Sequence, residues 1–137
     1  VQGALQVLKQ VVLHSDLEVE GTPWPIGWAG IEDSGDPLPV DTLNACLEAD
    51  AILLGALGDP RGDDLPPAQR PVSGLIRLRK ELGCYANLRP VRVPEGVLPY
   101  SPLREEIVRG VDLVVVRELT GGAYYGEPRG FDAERGE

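Results

Sequence analysis

Cysteine is scarce in this chain: only Cys46 and Cys84 occur among its 137 residues. Two thiols so far apart in sequence exclude a disulfide framework and a cysteine-rich zinc site. Each is read instead as a small buried apolar residue in a reducing compartment. Lysine is nearly missing too, with Lys9 and Lys80 the only two, and arginine supplies most of the positive charge. Even so the net charge is -9. Nucleic acid and anionic membrane both demand a basic face, so neither is expected as the main partner. No apolar run approaches the roughly 20 residues that span a bilayer. No basic-then-apolar leader opens the chain, and a cytoplasmic protein is expected. Gly-x-Gly-x-x-Gly does not follow any strand-like run, so the Rossmann fingerprint is absent. No internal repeat is visible.

What remains is ordinary globular material, 42% hydrophobic and 26% charged, long enough for one core. Residues 1–13 have the apolar spacing of a helix, and Asp16 to Thr22 alternate like a strand. Gly27-Trp28-Ala29-Gly30 and Asp33-Ser34-Gly35-Asp36-Pro37 carry turn chemistry. A short helix is predicted over Asp41 to Glu48, capped by Asp41 or by the Pro39-Val40 that precedes it. An apolar strand is predicted over Ala51 to Ala56, followed by a Pro-, Gly- and Asp-rich loop over 58–72. A helix over 73–82, with Ser73 near its start and Gly83 past its end, precedes a strand over 84–92. Ser101 to Arg109 reads as a helix opened by Ser101-Pro102. The β-branched run that ends at Arg117 reads as a buried strand, and a hairpin-like segment continues to Gly130. Alternating strands and helices predict an α/β fold with a largely parallel sheet at its start.

Three arginines fall at the ends of predicted elements. Arg79 lies one helical turn beyond Leu75 and Ile76, so the three share neighbouring positions. Arg89 ends an apolar extended segment before Pro90, and Arg117 ends the second strand. Open α/β sheets bind ligands just beyond the carboxyl ends of strands, and guanidinium groups grip carboxylates through paired hydrogen bonds. Three arginines beside two aliphatic side chains suit a small dicarboxylate with a branched alkyl arm. Each residue also has a plainer reading. Arg79 could pair with a carboxylate on a solvated helix. Arg89 and Arg117 could be buried structural ion pairs, although Glu118 is badly oriented to partner Arg117. Leu75 and Ile76 could be core, and Tyr124 a packed aromatic rather than a catalyst.

The motifs Gly74-Leu75-Ile76-x-Leu78-Arg79-Lys80, Ala86-Asn87-Leu88-Arg89-Pro90 and Arg117-Glu118-Leu119-Thr120-Gly121-Gly122-x-Tyr124-x-Gly126-x-Pro128-Arg129-Gly130 resemble those of the 3-isopropylmalate dehydrogenases, within the wider β-decarboxylating dehydrogenases. Pro37-Leu38-Pro39, 49–56 and 101–106 extend the similarity over nearly the whole chain. Relatives acting on isocitrate or malate usually have an asparagine after the Arg-Glu pair, where Leu119-Thr120-Gly121-Gly122 stands here.

This resemblance implies an isocitrate/isopropylmalate dehydrogenase-like α/β fold, with a mixed, largely parallel sheet flanked by helices and incomplete in this chain. Residues 1–90 would belong to the cofactor-side domain and 91–137 would begin the dimerisation-side domain. The implied reaction is NAD-dependent oxidation and decarboxylation of 3-isopropylmalate to 4-methyl-2-oxopentanoate, a step of leucine biosynthesis, assisted by Mg or Mn. By resemblance Arg79, Arg89 and Arg117 bind the malate carboxylates and hydroxyl, while Leu75 and Ile76 face the isopropyl group. Tyr124 would protonate the enol carbon after decarboxylation, a role its phenol fills best when cations lower its pKa.

The loop 59–72, with Asp59, Pro60, Pro71 and Val72, corresponds to a nicotinamide-side segment, with simple loop flexibility as the alternative. It departs from the family where Val72 replaces a typical glutamate, Asp59 a common glycine and Gly62 a common aromatic. Asp63-Asp64 reads as solvated loop charge. The general-base lysine and the metal-binding aspartates lie beyond Glu137 in the family, some of them on the second subunit of a homodimer. The 137 residues alone are therefore expected to be inactive, with apolar faces left uncovered. The alternatives are a dehydrogenase for malate, tartrate or homoisocitrate, and a non-catalytic truncated module.

Overall fold

The structure is a computed structural model and describes residues 1–121. The chain divides into two compact units, the first spanning Val1–Leu82 and the second beginning at Gly83.

In the first unit, four helices carry the regular structure: α1 (Gln2–Leu13), α2 (Trp28–Ser34), α3 (Val40–Glu48) and α4 (Pro71–Glu81). The short Asp36–Pro39 turn is its hub. Pro37, Leu38 and Pro39 are buried, and Leu38 is completely so. The Pro37 carbonyl accepts the Gly27 N–H at 2.8 Å. Gly27 adopts φ +67°, which glycine reaches without strain, and this lets the chain turn into α2. A Cβ at Gly30 would lie 2.7 Å from the Asp36 carbonyl oxygen and 2.9 Å from Pro39 Cδ. A Cβ at Gly74 would lie 2.9 Å from the Pro37 carbonyl carbon. Helices α2 and α4 therefore meet the turn backbone to backbone, which any side chain at either glycine would prevent. The Thr42 hydroxyl, buried in α3, donates to the Pro25 carbonyl at 2.8 Å and ties that helix to the segment before α2.

Helices α1, α3 and α4 lie where apolar periodicity predicts them. Their starts differ in detail. Pro39 occupies the N-cap position of α3 without a side-chain hydrogen bond, and Asp41 falls within the first turn. Helix α4 begins at Pro71, whose fixed φ and missing N–H suit the first helical position. Ser73 therefore sits inside the helix, its hydroxyl within donating distance of both the Ala68 and the Arg70 carbonyl. Gly83, at φ +62°, follows the C-terminus as expected.

Two expectations for this unit fail. Gly27-Trp28-Ala29-Gly30 begins α2 rather than a turn, because Gly30 is small for the sake of close packing. Asp16 to Thr22 and Ala51 to Ala56 form no ladder, so the largely parallel sheet is not formed among the described residues. Apolar composition makes a segment fit for a strand, but pairing needs a neighbour at hydrogen-bonding distance. Ile52, Leu53 and Leu54 remain exposed, as do Leu5, Val7, Val11 and Leu13 of α1.

The second unit is built on β1 (Ala86–Arg92) and β2 (Asp112–Glu118). They pair antiparallel, with Ala86 opposite Glu118 and Arg92 opposite Asp112. The ladder is prolonged at both ends, by Leu119 N–H to the Tyr85 carbonyl at 2.9 Å and Val93 N–H to the Val111 carbonyl at 3.0 Å. The sole sheet among the described residues is thus antiparallel, which the expected mixed sheet accommodates, while the parallel pairing expected at the start of the chain is not formed there. A β-branched run specifies a strand but is silent on its partner's direction. Between the strands, a 3₁₀ segment (Glu95–Tyr100) and the short α5 (Glu105–Val108) bury Leu98 and Val108. Helix α5 is shorter than the predicted 101–109. Ser101 spends its hydroxyl accepting the Leu103 N–H at 3.1 Å in a turn, before the helix starts. No helix among the described residues is long and apolar enough to cross a membrane.

Candidate functional site

On the β1–β2 ribbon, side chains alternate between two faces, and directly opposed residues share a face. Asn87 is opposite Arg117 and Arg89 is opposite Val115. Asn87, Arg89, Val115 and Arg117 therefore lie on one face, with the two arginines diagonal to each other. Residues so related stand roughly 7–8 Å apart at the backbone, within reach of one small ligand for side chains this long. Arg89 is oriented further by Asn87, whose Oδ1 accepts the Arg89 Nε–H at 2.8 Å. That bond holds one edge of the guanidinium and leaves its terminal nitrogens directed elsewhere. Asn87 went unremarked in the sequence except as part of a motif. Its spacing of two from Arg89 on a strand was the available signal.

The turn after β2 is arranged by Glu118. Its carboxylate accepts from the Thr120 hydroxyl, the Thr120 N–H and, at 3.1 Å, the Gly121 N–H. These bonds, led by the Thr120 hydroxyl, hold the Glu118 carboxyl below the usual carboxylate range. Glu118 lies on the ribbon face opposite Arg117's, consistent with strand alternation. Tyr124, the expected proton donor, falls outside the described residues, as does the hairpin-like segment to Gly130.

In the first unit, Leu75, Ile76 and Arg79 are half-buried on α4. Arg79 stands in the last helical turn, where a cation is favoured by the helix dipole. What fixes α4 is Arg77, a residue that sequence reasoning passed over. Its guanidinium forks onto both Asp36 carboxylate oxygens at 3.0 and 2.9 Å and also donates to the Leu38 carbonyl. Burial alone would raise the Asp36 carboxyl. Hydrogen bonds from Arg77 and the Leu38 N–H, with Arg77's charge, outweigh it and hold the group below its ordinary value.

The segment from Asp59 to Val72 is ordered by contacts within its own unit. Asp59 caps a 3₁₀ turn, Pro60–Gly62, by accepting the Arg61 N–H at 3.0 Å. The same carboxylate takes Arg61 Nε at 3.0 Å and Nη2 at 2.7 Å. Pro71 is buried, and a Cβ at Gly62 would come within 2.9 Å of its Cγ, so the turn closes on the start of α4. Of the four cofactor candidates, Pro60 and Val72 are thus the exposed ones, Asp59 is engaged by Arg61, and Pro71 is packed away.

Elsewhere in the first unit a cleft of about 630 Å³ is lined by Trp24, Asp33, Asp36, Val40 and Asp41 among others, and contains none of the expected site residues. Cys46 and Cys84 are half-buried and free, and burial pushes the Cys46 thiol up, away from reactivity. Asp63 and Asp64 are exposed, and no three His, Cys, Asp or Glu side chains among the described residues group to hold a metal ion.

A family model described as isocitrate/isopropylmalate dehydrogenase matches residues 1–137, the whole chain. The chain belongs to the isocitrate/isopropylmalate dehydrogenase family. It is 51% identical over 137 residues to a 3-isopropylmalate dehydrogenase of Aquifex aeolicus, covering 100% of this chain and 38% of the relative. A protein of the same name from Listeria monocytogenes is 52% identical over 130 residues, covering 95% and 37% of the two chains. One from Thermotoga maritima is 49% identical over 138 residues, covering 99% and 39%. This member of the family therefore spans under two-fifths of the length of the relatives it matches.

Proposed function

We propose that the protein to which these residues belong is a cytoplasmic, homodimeric 3-isopropylmalate dehydrogenase, which oxidises and decarboxylates its substrate to 4-methyl-2-oxopentanoate. In this reading residues 1–90 contribute to the cofactor-side domain and 91–137 to the dimerisation-side domain. The observation that carries it is the pair Arg89 and Arg117 on one ribbon face, with Asn87 steering the first. Two guanidiniums so arranged are suited to a diacid. The name shared by relatives about half identical to this chain supports 3-isopropylmalate as that diacid.

The chain's own residues then have separable tasks. Arg89 and Arg117, with Arg79 from α4, bind the carboxylates and orient the hydroxyl-bearing carbon, so that orientation and electrostatics do much of the work. Leu75 and Ile76 accept the isopropyl arm and exclude water from it. The exposed side of the 59–72 loop, at Pro60 and Val72, meets the cofactor; Asp59 serves it indirectly by shaping the turn. NAD, when bound, would accept the hydride from the carbinol carbon, while the hydroxyl proton would pass to the general-base lysine that the resemblance puts beyond Glu137. The resulting β-keto acid loses CO2, and Tyr124 delivers the proton that quenches the enol. A divalent cation, Mg or Mn by resemblance, finds no donor set among the described residues.

The test is an assay of the full-length protein for NADH formation with 3-isopropylmalate, malate, tartrate and homoisocitrate. The highest kcat/KM is expected for 3-isopropylmalate. A preference for another of these acids moves the assignment to that substrate, and no NADH with any of them overturns it in favour of a non-catalytic module. Residues 1–137 alone are expected to produce no NADH.

A further inference from the structure

Arg61 is exposed yet makes several contacts, none of them to a residue assigned to the substrate. Its guanidinium carbon lies 4.3 Å from the centre of the Trp28 ring, the stacked geometry in which a cation meets the negative face of an indole. Its Nη1 donates to Glu32 at 3.1 Å, and the same Glu32 oxygen accepts the Trp28 Nε1–H at 2.7 Å. Its Nε and Nη2 grip Asp59. One side chain from the 59–62 turn thus joins the turn's own cap to two residues a helical turn apart on α2. Arginine fits this task and lysine does not, because only a planar fork stacks and donates in several directions at once.

The turn is closed on its other side by Gly62 against Pro71. It is therefore held between α2 and the first residue of α4, with Pro60 exposed within it and Val72 exposed just past Pro71. Two contacts to α2, the stack on Trp28 and the bond to Glu32, run through this single guanidinium. Loss of that group frees the turn from α2 while leaving the Gly62–Pro71 packing and the Asp36–Arg77 clamp of α4 in place.

We propose that Arg61 is a positioning residue for the dinucleotide: stacked on Trp28 and bonded to Asp59 and Glu32, it holds the 59–62 turn in the conformation that NAD meets. The inference rests on the reading of 59–72 as a cofactor-side loop. Arg61 itself does not contact the cofactor. Its effect is on how often the free protein offers the loop ready-made, and binding is weakened by the fraction of time it does not.

The experiment uses the full-length enzyme and its Arg61→Ala, Arg61→Lys and Trp28→Leu variants. Steady-state kinetics are measured with NAD and with 3-isopropylmalate varied in turn, alongside thermal melts. For Arg61→Ala, KM for NAD is expected to rise about three- to tenfold, the range set by one stacked cation and its exposed ion pairs, with kcat and KM for 3-isopropylmalate within about twofold. Trp28→Leu, which leaves the loop sequence intact, should shift KM for NAD in the same direction. Arg61→Lys should recover only part of the loss, since it keeps the charge and gives up the fork. An unchanged KM for NAD in both Arg61→Ala and Trp28→Leu overturns the proposal, as does full rescue by lysine or a rise in both KM values together. Should Arg61→Ala fail to fold, Arg61→Lys and Trp28→Leu decide by the same criteria. A wild-type enzyme active on 3-isopropylmalate with these variants unaffected sinks the positioning role alone. A wild type inactive with NAD sinks the functional assignment beneath it.

Discussion

The Asp36–Pro39 turn and the β1–β2 ribbon are held together in opposite ways. Around the turn, helices approach so closely that two glycines have no room for a methyl group, and a forked ion pair locks α4 in place. Along the ribbon, backbone hydrogen bonds do the holding, and every residue of β2 is exposed. Because backbone bonds form the ladder, the sequence of the ribbon can be chosen for a ligand more readily than for packing. Side chains at the turn are chosen for fit. The contrast separates stability from chemistry, and substitutions in the two regions ought to fail in different assays.

The largest effect is expected on the ribbon. Replacing Arg89 or Arg117 with alanine in the full-length protein should lower kcat/KM for 3-isopropylmalate roughly 10²- to 10³-fold, the cost of leaving a desolvated carboxylate without its partner. Thermal midpoints should barely move. A midpoint that falls with activity would mean the arginines are structural, and the division between the two regions would collapse. Asn87→Ala should weaken activity less, by way of Arg89, since it removes one hydrogen bond and no charge.

At the turn the reverse is expected. Gly74→Val drives a branched side chain into the Pro37 backbone, and relieving that overlap by shifting α4 costs about 2–3 kcal/mol. Unfolding in denaturant measures it directly. Because α4 also bears Leu75, Ile76 and Arg79, activity should fall only as far as the helix moves. A variant as stable as wild type would show that α4 does not press on the turn.

Leu75 and Ile76 sit between the two regimes, half-buried on the locked helix. Leu75→Ser should reduce kcat/KM for 3-isopropylmalate relative to malate by roughly ten- to a hundredfold, the range for an apolar arm losing its pocket. Equal losses on both acids would assign Leu75 to packing and enlarge the region governed by fit.

Much of this was legible in the residues, and the limits have physical causes. Helices α1, α3 and α4 announced themselves by periodicity and β2 by its β-branched run, because one element's pattern is a local property, although that strand is exposed rather than buried as expected. Pairing is not local, so the antiparallel ladder of β1 and β2 and the unpaired state of Asp16 to Thr22 and Ala51 to Ala56 were out of reach. Glycine signals cut both ways: Gly83 marked a helix end, whereas Gly30 mimicked a turn while serving tight packing. Arg89 and Arg117 were chosen from motifs, and their shared ribbon face followed only from the register. The Arg77–Asp36 and Arg61–Trp28 contacts join residues distant in sequence, and nothing in either neighbourhood announces them.

The smallest effect tests the turn by pH. Asp36 has a folded pKa below its ordinary value, the hydrogen bonds and charge of Arg77 overcoming the opposing effect of burial. In the unfolded chain the group titrates near the usual aspartate value of about 3.9. The folded state therefore binds this proton less readily, so the stabilisation is complete above that pH and fades as pH falls through the folded value. Both partners are partly exposed, so screening by solvent keeps the contribution modest. Melts of wild type and Asp36→Asn from pH 7 down to pH 3 isolate it, since Asp59 and Glu118, also depressed, titrate alike in both proteins and cancel in the difference. Wild type should be the more stable at pH 7, and the gap should close below about pH 4. A gap that persists unchanged at pH 3 would assign the turn's rigidity to the glycine contacts alone and leave Arg77 a bystander.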